Sequence, residues 1–533
     1  MAMPPFRSGL AATIILFIAL ISVLLLFDVY YLPIPERPPF GTLQFGSSES
    51  VLAVDADGIK SGPKTAELPE SCDFCGPTDT VCKKWGPDNI ARSRAYEGPN
   101  ARLRRIIRKA ISGQPIKIGV LGGSVSAGHG VFDPKERWHG IYVQWWRDTF
   151  FAEIYSSRGE NEGDEEREDG EDSEEDAIEW VQLVDGSIPA TQSDYLQSCH
   201  MEHIDEDVDL VVVELAINDQ RREELAHAYE YLLRSLLILP TNPAIINLQT
   251  MGLHGSEISM GGDLEMAIAM YYDTPVINIR NVLLPYLLQH RELDWNITRH
   301  YFVHNAERGW VDLRHMNVNG HRAMAEMLIS MTQKIYCEEL KAMANESEKE
   351  WLPTEEHIPG KDSLEYIPRL RMFQAYDNHT EVVPMRPMCM SLTSEKHPLV
   401  ASQANGWEIW ESKQSVSRKI YYRATVPGST ISFNIAVGPL GRARVSYLRS
   451  KSFGLGSVWC WVEVEGVPDS EKRFGHKLDG YWDRDKINVG SADAVAQHLP
   501  PGSHTLHCRL LGSDESADPG KGTEFRIIAV DSA

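Results

Sequence analysis

Basic residues are scarce: 52 Lys plus Arg stand against 76 Asp plus Glu, a formal net charge of -24 over 533 residues. The attraction to phosphate backbones that polynucleotide binding needs is missing, which argues against a nucleic-acid partner. Cysteine is sparse as well, with eight in the chain. Cys72, Cys75 and Cys82 lie close together, but no second Cys pair or His follows at ligand spacing. The even number therefore favours disulfides in an oxidising compartment over a zinc site. The chain has no internal repeat, and its glycine-rich turn is not followed by Gly-Lys-Ser/Thr and is not a G-x-G-x-x-G. Those absences remove the Walker and dinucleotide readings. At roughly 100 to 200 residues per domain, the length calls for two or three folded units rather than one small module.

Charge is unevenly spread. Residues 160–176 hold twelve acids and one Arg, a net of -11, and are expected to form a disordered, solvated insert. Leu10 to Phe27 is an uncharged run of eighteen residues, which at about 1.5 Å per helical residue just spans a hydrocarbon core. Leu24 to Asp28 offers no small-residue cleavage site, so the run reads as an uncleaved anchor within residues 1–31. Arg7 precedes it and Asp28 and Glu36 follow. The positive-inside rule then predicts a single-pass type II protein, with the rest of the chain lumenal (Golgi or ER) or extracellular. Sequons at Asn296, Asn345 and Asn378 agree with glycosylation in that compartment. Pro33, Pro35, Pro38 and Pro39 suggest an extended stem, carried with the Cys cluster to residue 99.

From about residue 100 the texture changes. Ala101 to Ile111 reads as a helix, and apolar runs at Ile116 to Leu121, Trp180 to Val184, Asp209 to Ala216, Ala244 to Leu248 and Pro275 to Ile279 read as buried strands. Helical stretches such as Arg222 to Leu239 separate them. The alternation predicts an α/β unit over 100–345, a parallel sheet covered on both faces. Met324, Met327, Leu328, Met331 and Ile335 recur at helical spacing, which marks them as core. Residues 346–395 are charged and Pro-interrupted, a linker. Beyond it, short β-type runs at Lys419 to Ala424, Thr430 to Ala436, Val458 to Val464, Thr505 to Leu511 and Phe525 to Val530 predict an antiparallel β-sandwich over 396–533. Trp407, Trp410, Trp459, Trp461 and Trp482 lie there; they suit either its core or a sugar-stacking platform, core being the commoner use.

The first strand runs into Gly122-Gly123-Ser124-Val125-Ser126-Ala127-Gly128-His129-Gly130. A glycine-rich turn at the C-terminal edge of a parallel sheet is where open α/β folds place ligands, and it can present a serine with backbone N–H groups facing a developing oxyanion. The strand Leu210 to Leu215 ends in Ala216-Ile217-Asn218-Asp219, which puts an amide donor at the same edge. Later, Asp312 stands three residues before His315. A serine hydroxyl attacks at neutral pH only if an imidazole takes its proton and a carboxylate fixes the imidazole tautomer. On one turn, D-x-x-H spacing lets both side chains face one cleft. His129 and His321 lie near this group, and packing or surface placement is the commoner role for each.

These three blocks, in this order, resemble the SGNH hydrolases, the GDSL-like esterase superfamily, over about residues 113 to 340. The first block G-D-S-x-x-x-G appears as Gly122 to Gly128 with Gly123 in place of Asp. G-x-N-D appears as Ala216 to Asp219, and D-x-x-H as Asp312 to His315. The resemblance implies a flavodoxin-like three-layer α/β/α domain with Ser124 as nucleophile, His315 as base and Asp312 as its orienter. It also implies Asn218 and the Ser124 N–H as oxyanion donors, and no metal or organic cofactor. The second family block, which supplies a glycine N–H, corresponds to Asp185 to Thr191, where its second glycine falls on Pro189, which has no N–H. Gly186 or Ala190 serves instead, or the hole has one donor fewer. The stretch Gly186 to Tyr195 resembles a eukaryotic, membrane-anchored branch of the superfamily.

The expected activity is a serine esterase that removes acyl groups, most simply acetyl, from a glycan or other ester-bearing partner through an acyl-enzyme. The competing readings are a polysaccharide O-acetyltransferase and a non-catalytic carbohydrate-binding protein.

Overall fold

A computed structural model describes residues 68–152, 179–254, 257–289, 295–345, 367–377, 379, 387–412, 419–485 and 487–533. Among the described residues no helix is long and apolar enough to cross a membrane. The anchor at Leu10 to Phe27, the acidic insert and Asn378 lie outside them, as do the side chains of Asn296 and Asn345.

The α/β unit is built on six strands: β1 Arg94–Tyr96, β2 Ile116–Gly122, β3 Val181–Asp185, β4 Leu210–Glu214, β5 Ala244–Gln249 and β6 Val276–Asn278. Their order is β1-β6-β5-β4-β2-β3; all neighbours are parallel except β1, which joins β6 antiparallel. From β2 onward this is the flavodoxin order. The chain leaves β2 for β3 on one side and returns to β4 on the other, so the switch point lies between β2 and β4.

Alternation along each strand serves both faces. Ile118 and Val120 of β2 and Val212 of β4 pack with Ile106 and Ile107 of the helix Ala101–Ile111 and with Trp138, Trp146, Met324, Met327 and Met331. Leu121, Val211 and Val213 pack on the other face with Tyr229, Leu232, Leu233 and Leu236 of the helix Glu223–Leu237. The expected methionine stripe on the helix Val318–Asn345 is therefore core.

The stem is shorter than the sequence suggested. Residues from 68 belong to the α/β unit: Cys82 and Ile90 are buried in its core, β1 extends its sheet, and Cys72 is bonded to Cys337 on the long C-terminal helix. Cys75 pairs with Cys82. A Pro-rich lead-in hid this, because the helices Thr80–Trp85 and Pro87–Ser93 are too short to show a period. A hairpin, β7 Phe302–Asn305 and β8 Trp310–Met316, closes the unit next to the switch point.

The C-terminal unit is an antiparallel sandwich. Its strands are β9 Met388–Ser391, β10 Gln403–Asn405, β11 Glu408–Glu411, β12 Ile420–Ala424, β13 Thr430–Val437, β14 Ala443–Arg449, β15 Ser457–Glu463, β16 Gly475–Asp479, β17 Val489–Ala496, β18 Gly502–Leu510 and β19 Phe525–Ser532. One sheet runs β10-β13-β18-β15-β16 and the other β11-β12-β19-β14-β17, with β9 on β19. Cys460 and Cys508 sit opposite each other on β15 and β18 and are bonded. The linker therefore ends before Met388, because β9 already pairs with the last strand of the chain. Trp407 lies in the sandwich core, and Trp482 is buried with its Nε1 donating to Ile487 O at 3.0 Å.

The two units share a buried interface. Cys199 is bonded to Cys389, and Cys389 and Ala529 belong to the apolar cluster of Tyr195 and Leu196. The Arg444 guanidinium, buried against Asp531 at 2.9 Å, also donates to Ser198 Oγ at 2.7 Å. Removing one partner of such a buried pair leaves an uncompensated charge, at about 3 to 5 kcal/mol.

Candidate active site

Ser124 follows β2 and Asn218 follows β4, the two strands that flank the switch point. The turn after β2 is closed by Ala127 N–H to Gly123 O at 3.0 Å and His129 N–H to Ser124 O at 3.0 Å. A side chain on Gly122 would meet Ser126, and one on Gly123 would collide with the Asn218 amide. Glycine at 123, where the resembled family has Asp, thus lets that amide rest directly on the backbone beside Ser124.

The Ser124 Oγ lies 2.8 Å from His315 Nε2, and His315 Nδ1 lies 2.6 Å from Asp312 Oδ2. The Asp-His pair is not on a helical turn. It lies on β8, where Phe302 pairs with Met316 and His304 with Val311, so Asp312 to His315 all stand opposite Val303. That bulge breaks the strand alternation and lets residues three apart face the same side. Burial raises the Asp312 carboxyl, but the His315 hydrogen bond and charge and the Arg314 N–H outweigh it and bring it down to about 2. The His129 ring lies 4.0 Å from that of His315, tilted 33°, and burial followed by the His315 charge lowers its pKa. His321, by contrast, is fully buried and accepts from Trp138 N–H at 3.1 Å, so it is packing. Ligand atoms of His129, Asp312 and His315 lie within 4.8 Å of one another, brought together by the Asp312–His315 hydrogen bond and the contact of the His129 and His315 rings.

The oxyanion donors differ in part from expectation. The Gly186 N–H donates to Val120 O at 2.9 Å, continuing the β2 to β3 ladder, so it faces the sheet and not the serine. Ile188 N–H goes to Gly122 O at 2.9 Å. The Asn218 Nδ2 donates to Thr191 O at 2.6 Å, which leaves its second N–H. The N–H groups of Ser124 and Ala190 make no hydrogen bond among the described residues. Ala190 has φ +65°, a left-handed conformation few non-glycine residues adopt. Such a constellation can hold a serine deprotonated by imidazole next to amide donors for an alkoxide.

Sequence reasoning missed Glu214, which ends β4 inside an apolar run and is fully buried. Its carboxyl accepts from Ser126 Oγ at 2.9 Å and Thr250 Oγ1 at 2.8 Å, and from the Gly123 and Ser126 N–H groups. It therefore pins the serine turn from below. A lone acid at the end of Leu-Val-Val-Val was the available signal, since a buried charge must find partners. Burial lifts it to about 7 despite those bonds. Nearby, burial lifts Asp194 to about 6 and pushes Asp219 and Glu265 upward, the last two also by each other's charge or that of their acidic neighbours.

For Glu265 the native state keeps a proton that the unfolded chain, with a carboxyl near 4.3, releases. Its stabilising contribution is therefore full below about pH 4 and declines as pH rises toward the folded value. The isosteric Glu265→Gln does not titrate. Its stability relative to the unaltered protein is expected to improve steadily from about pH 4 to 7 in denaturant unfolding, with the buried histidines cancelling in the difference. A gap that does not vary with pH defeats this expectation.

Two solved structures align with most of the chain. A two-domain esterase active on acetylated mannans matches with a TM-score of 0.53 and 16% identity, over 83% of this chain and 98% of that one. A two-domain esterase active on acetylated mannans co-crystallised with mannopentaose matches at 0.52 and 16%, over 83% and 97%. At that identity the likeness is one of fold, an α/β unit joined to a β-sandwich. No protein-family model matches the sequence, and no curated protein matches it.

Proposed function

We propose that this chain is an SGNH-type serine esterase that removes acyl groups, acetyl most simply, from a glycan. The observation that carries the reading is the continuous hydrogen-bond chain from Ser124 through His315 to Asp312 at the switch point of the sheet. In it, Ser124 Oγ attacks the ester carbonyl while His315 Nε2 takes its proton, and Asp312 holds the imidazole with Nδ1 protonated. The alkoxide faces the N–H groups of Ser124 and Ala190 and the free N–H of Asn218. His315 returns the proton to the leaving sugar hydroxyl, and water, activated in the same way, releases the acyl group.

The glycan part rests on a crevice where the Ala190 loop meets the sandwich. Pro189, Ala190 and Thr191 line it from the α/β unit, and Lys419 and Tyr421 from the sandwich. Lys419 is close enough for its charge to act on His129. Farther out Trp410 stacks on Tyr421 at 5.8 Å, with Arg526 over both rings, an arrangement suited to a sugar ring. The fold neighbours' activity on acetylated mannans is consistent with this class. A lumenal or extracellular setting, with residues 1–31 as anchor, suits such a substrate.

The test is direct. A fluorophosphonate should label the full chain at Ser124, and an acetylated glycan should release acetate to water. A folded protein that takes no label defeats the catalytic reading in favour of binding alone. Transfer of acetyl to a glycan hydroxyl in place of water moves the assignment to an acyltransferase.

A further inference from the structure

The loop that carries Ala190 is held from both sides. On its inner side, Ile188 N–H donates to Gly122 O at 2.9 Å, Asn218 Nδ2 to Thr191 O at 2.6 Å and Ser193 N–H to Asp219 Oδ1 at 2.8 Å. On its outer side stands β17, the last strand of its sheet, paired with β14. The N–H groups on the free side of an edge strand project every second residue and are open to whatever approaches. Here the α/β unit takes two of them in succession. Gly490 N–H donates to Ala190 O at 2.9 Å, and Ala492 N–H to Asp194 Oδ2 at 2.9 Å. The helix Ser193–Cys199, which continues the loop, is anchored by Arg444 on Ser198 Oγ at 2.7 Å, by Tyr195 OH on Ser391 Oγ at 2.9 Å and by the Cys199–Cys389 bond. Between these ties lie Pro189, which has no N–H, and Ala190 at φ +65°, a conformation that persists only where its surroundings impose it.

We infer that the β-sandwich is a positioning element of the catalytic centre. Its edge strand, through Gly490 on the Ala190 carbonyl and Ala492 on the Asp194 carboxylate, fixes the backbone that follows Ala190 and so holds that residue in its left-handed conformation, with its N–H as an oxyanion donor. The inference rests on the esterase reading and goes further: the sandwich governs turnover of any ester, including one too small to touch the sugar cleft. A sandwich that only gathers glycan would alter KM for glycans and leave small-ester kcat unchanged.

The experiment uses the full chain and p-nitrophenyl acetate. Gly490→Pro deletes the donor to Ala190 and sets the proline ring against its carbonyl, with the sequence of the α/β unit unaltered. Because that N–H lies outside the β14 ladder, proline is tolerable there. Gly490→Ala keeps the N–H and places its Cβ 3.2 Å from the movable Ile528 Cδ1. Gly490→Pro is expected to lower kcat about tenfold or more, the scale of a displaced oxyanion donor, with KM nearly unchanged and Ser124 labelling slowed in proportion. Gly490→Ala, which keeps that N–H, should lose far less kcat than Gly490→Pro. A folded Gly490→Pro protein with unchanged kcat overturns the inference. Should that variant not fold, Ser198→Ala, which loosens the same helix, decides: a kcat fall of about threefold or more supports the brace, and no fall overturns it. If the unaltered protein itself takes no fluorophosphonate, the esterase reading fails and the inference falls with it; if it labels while the variants turn over normally, the inference alone fails.

Discussion

Ser124→Ala is expected to reduce kcat/KM for p-nitrophenyl acetate by about 10⁴-fold or more, with little change in thermal stability. The loss follows from geometry. Ser124 Oγ is the atom that His315 Nε2 approaches at 2.8 Å, and no other hydroxyl contacts that nitrogen among the described hydrogen bonds. Ser126, the nearest serine in sequence, is fully buried and occupied by Glu214 and Trp138 Nε1. Residues that act as one unit are not additive, so Ser124→Ala combined with His315→Ala should be hardly worse than Ser124→Ala alone. What activity remains would come from the amide donors and from substrate positioning. A Ser124→Ala protein that keeps more than about one per cent of the activity would sink the assignment of this serine.

Asp312→Asn is expected to produce the second largest loss, on the order of 10⁴-fold in kcat. The carboxylate accepts from His315 Nδ1–H at 2.6 Å and is itself oriented by Arg314 N–H at 3.0 Å. An amide there can donate in place of accepting. That stabilises the tautomer with Nδ1 bare and Nε2 protonated, so the imidazole can no longer take the serine proton. Fold and Ser124 placement should persist, because the side chain keeps its size on a strand anchored by the pairing of Phe302 with Met316. Since the Asp312 carboxyl sits at about 2, its ionisation should leave no limb in the rate profile of the unaltered protein above about pH 4. The decisive measurement is kcat for Asp312→Asn with circular dichroism of the same sample; a native spectrum with kcat within tenfold of the unaltered protein contradicts the orienting role.

Much of this architecture was legible because burial writes itself into composition. Ile116 to Leu121, Leu210 to Val213 and Ala244 to Leu248 are mainly apolar since both faces of a parallel sheet are covered. The sandwich strands around Thr430 and Val458 alternate as half-buried strands do. Where the period was short or broken, the reading failed. β1 has three residues, β9 four, and the segment with Asp312 and His315 carries a bulge that no periodicity reveals. Residues 80–93 looked like stem because two brief helices after a proline cluster resemble a linker until Cys82 and Ile90 meet the core.

The amino-acid order alone determined which side chains are able to do chemistry and at which strand ends they emerge, because strand identity depends on nearest neighbours and on which residues avoid water. The tertiary structure alone decided what each backbone amide bonds to. Gly186 and Ala190 are four residues apart and equally plausible as donors on paper, yet the first gives its N–H to Val120 O, while the second has its carbonyl held by Gly490 N–H from a strand three hundred residues away. Hydrogen bonds are directional and act over about 3 Å, so their partners are chosen only once distant segments have been packed to that distance.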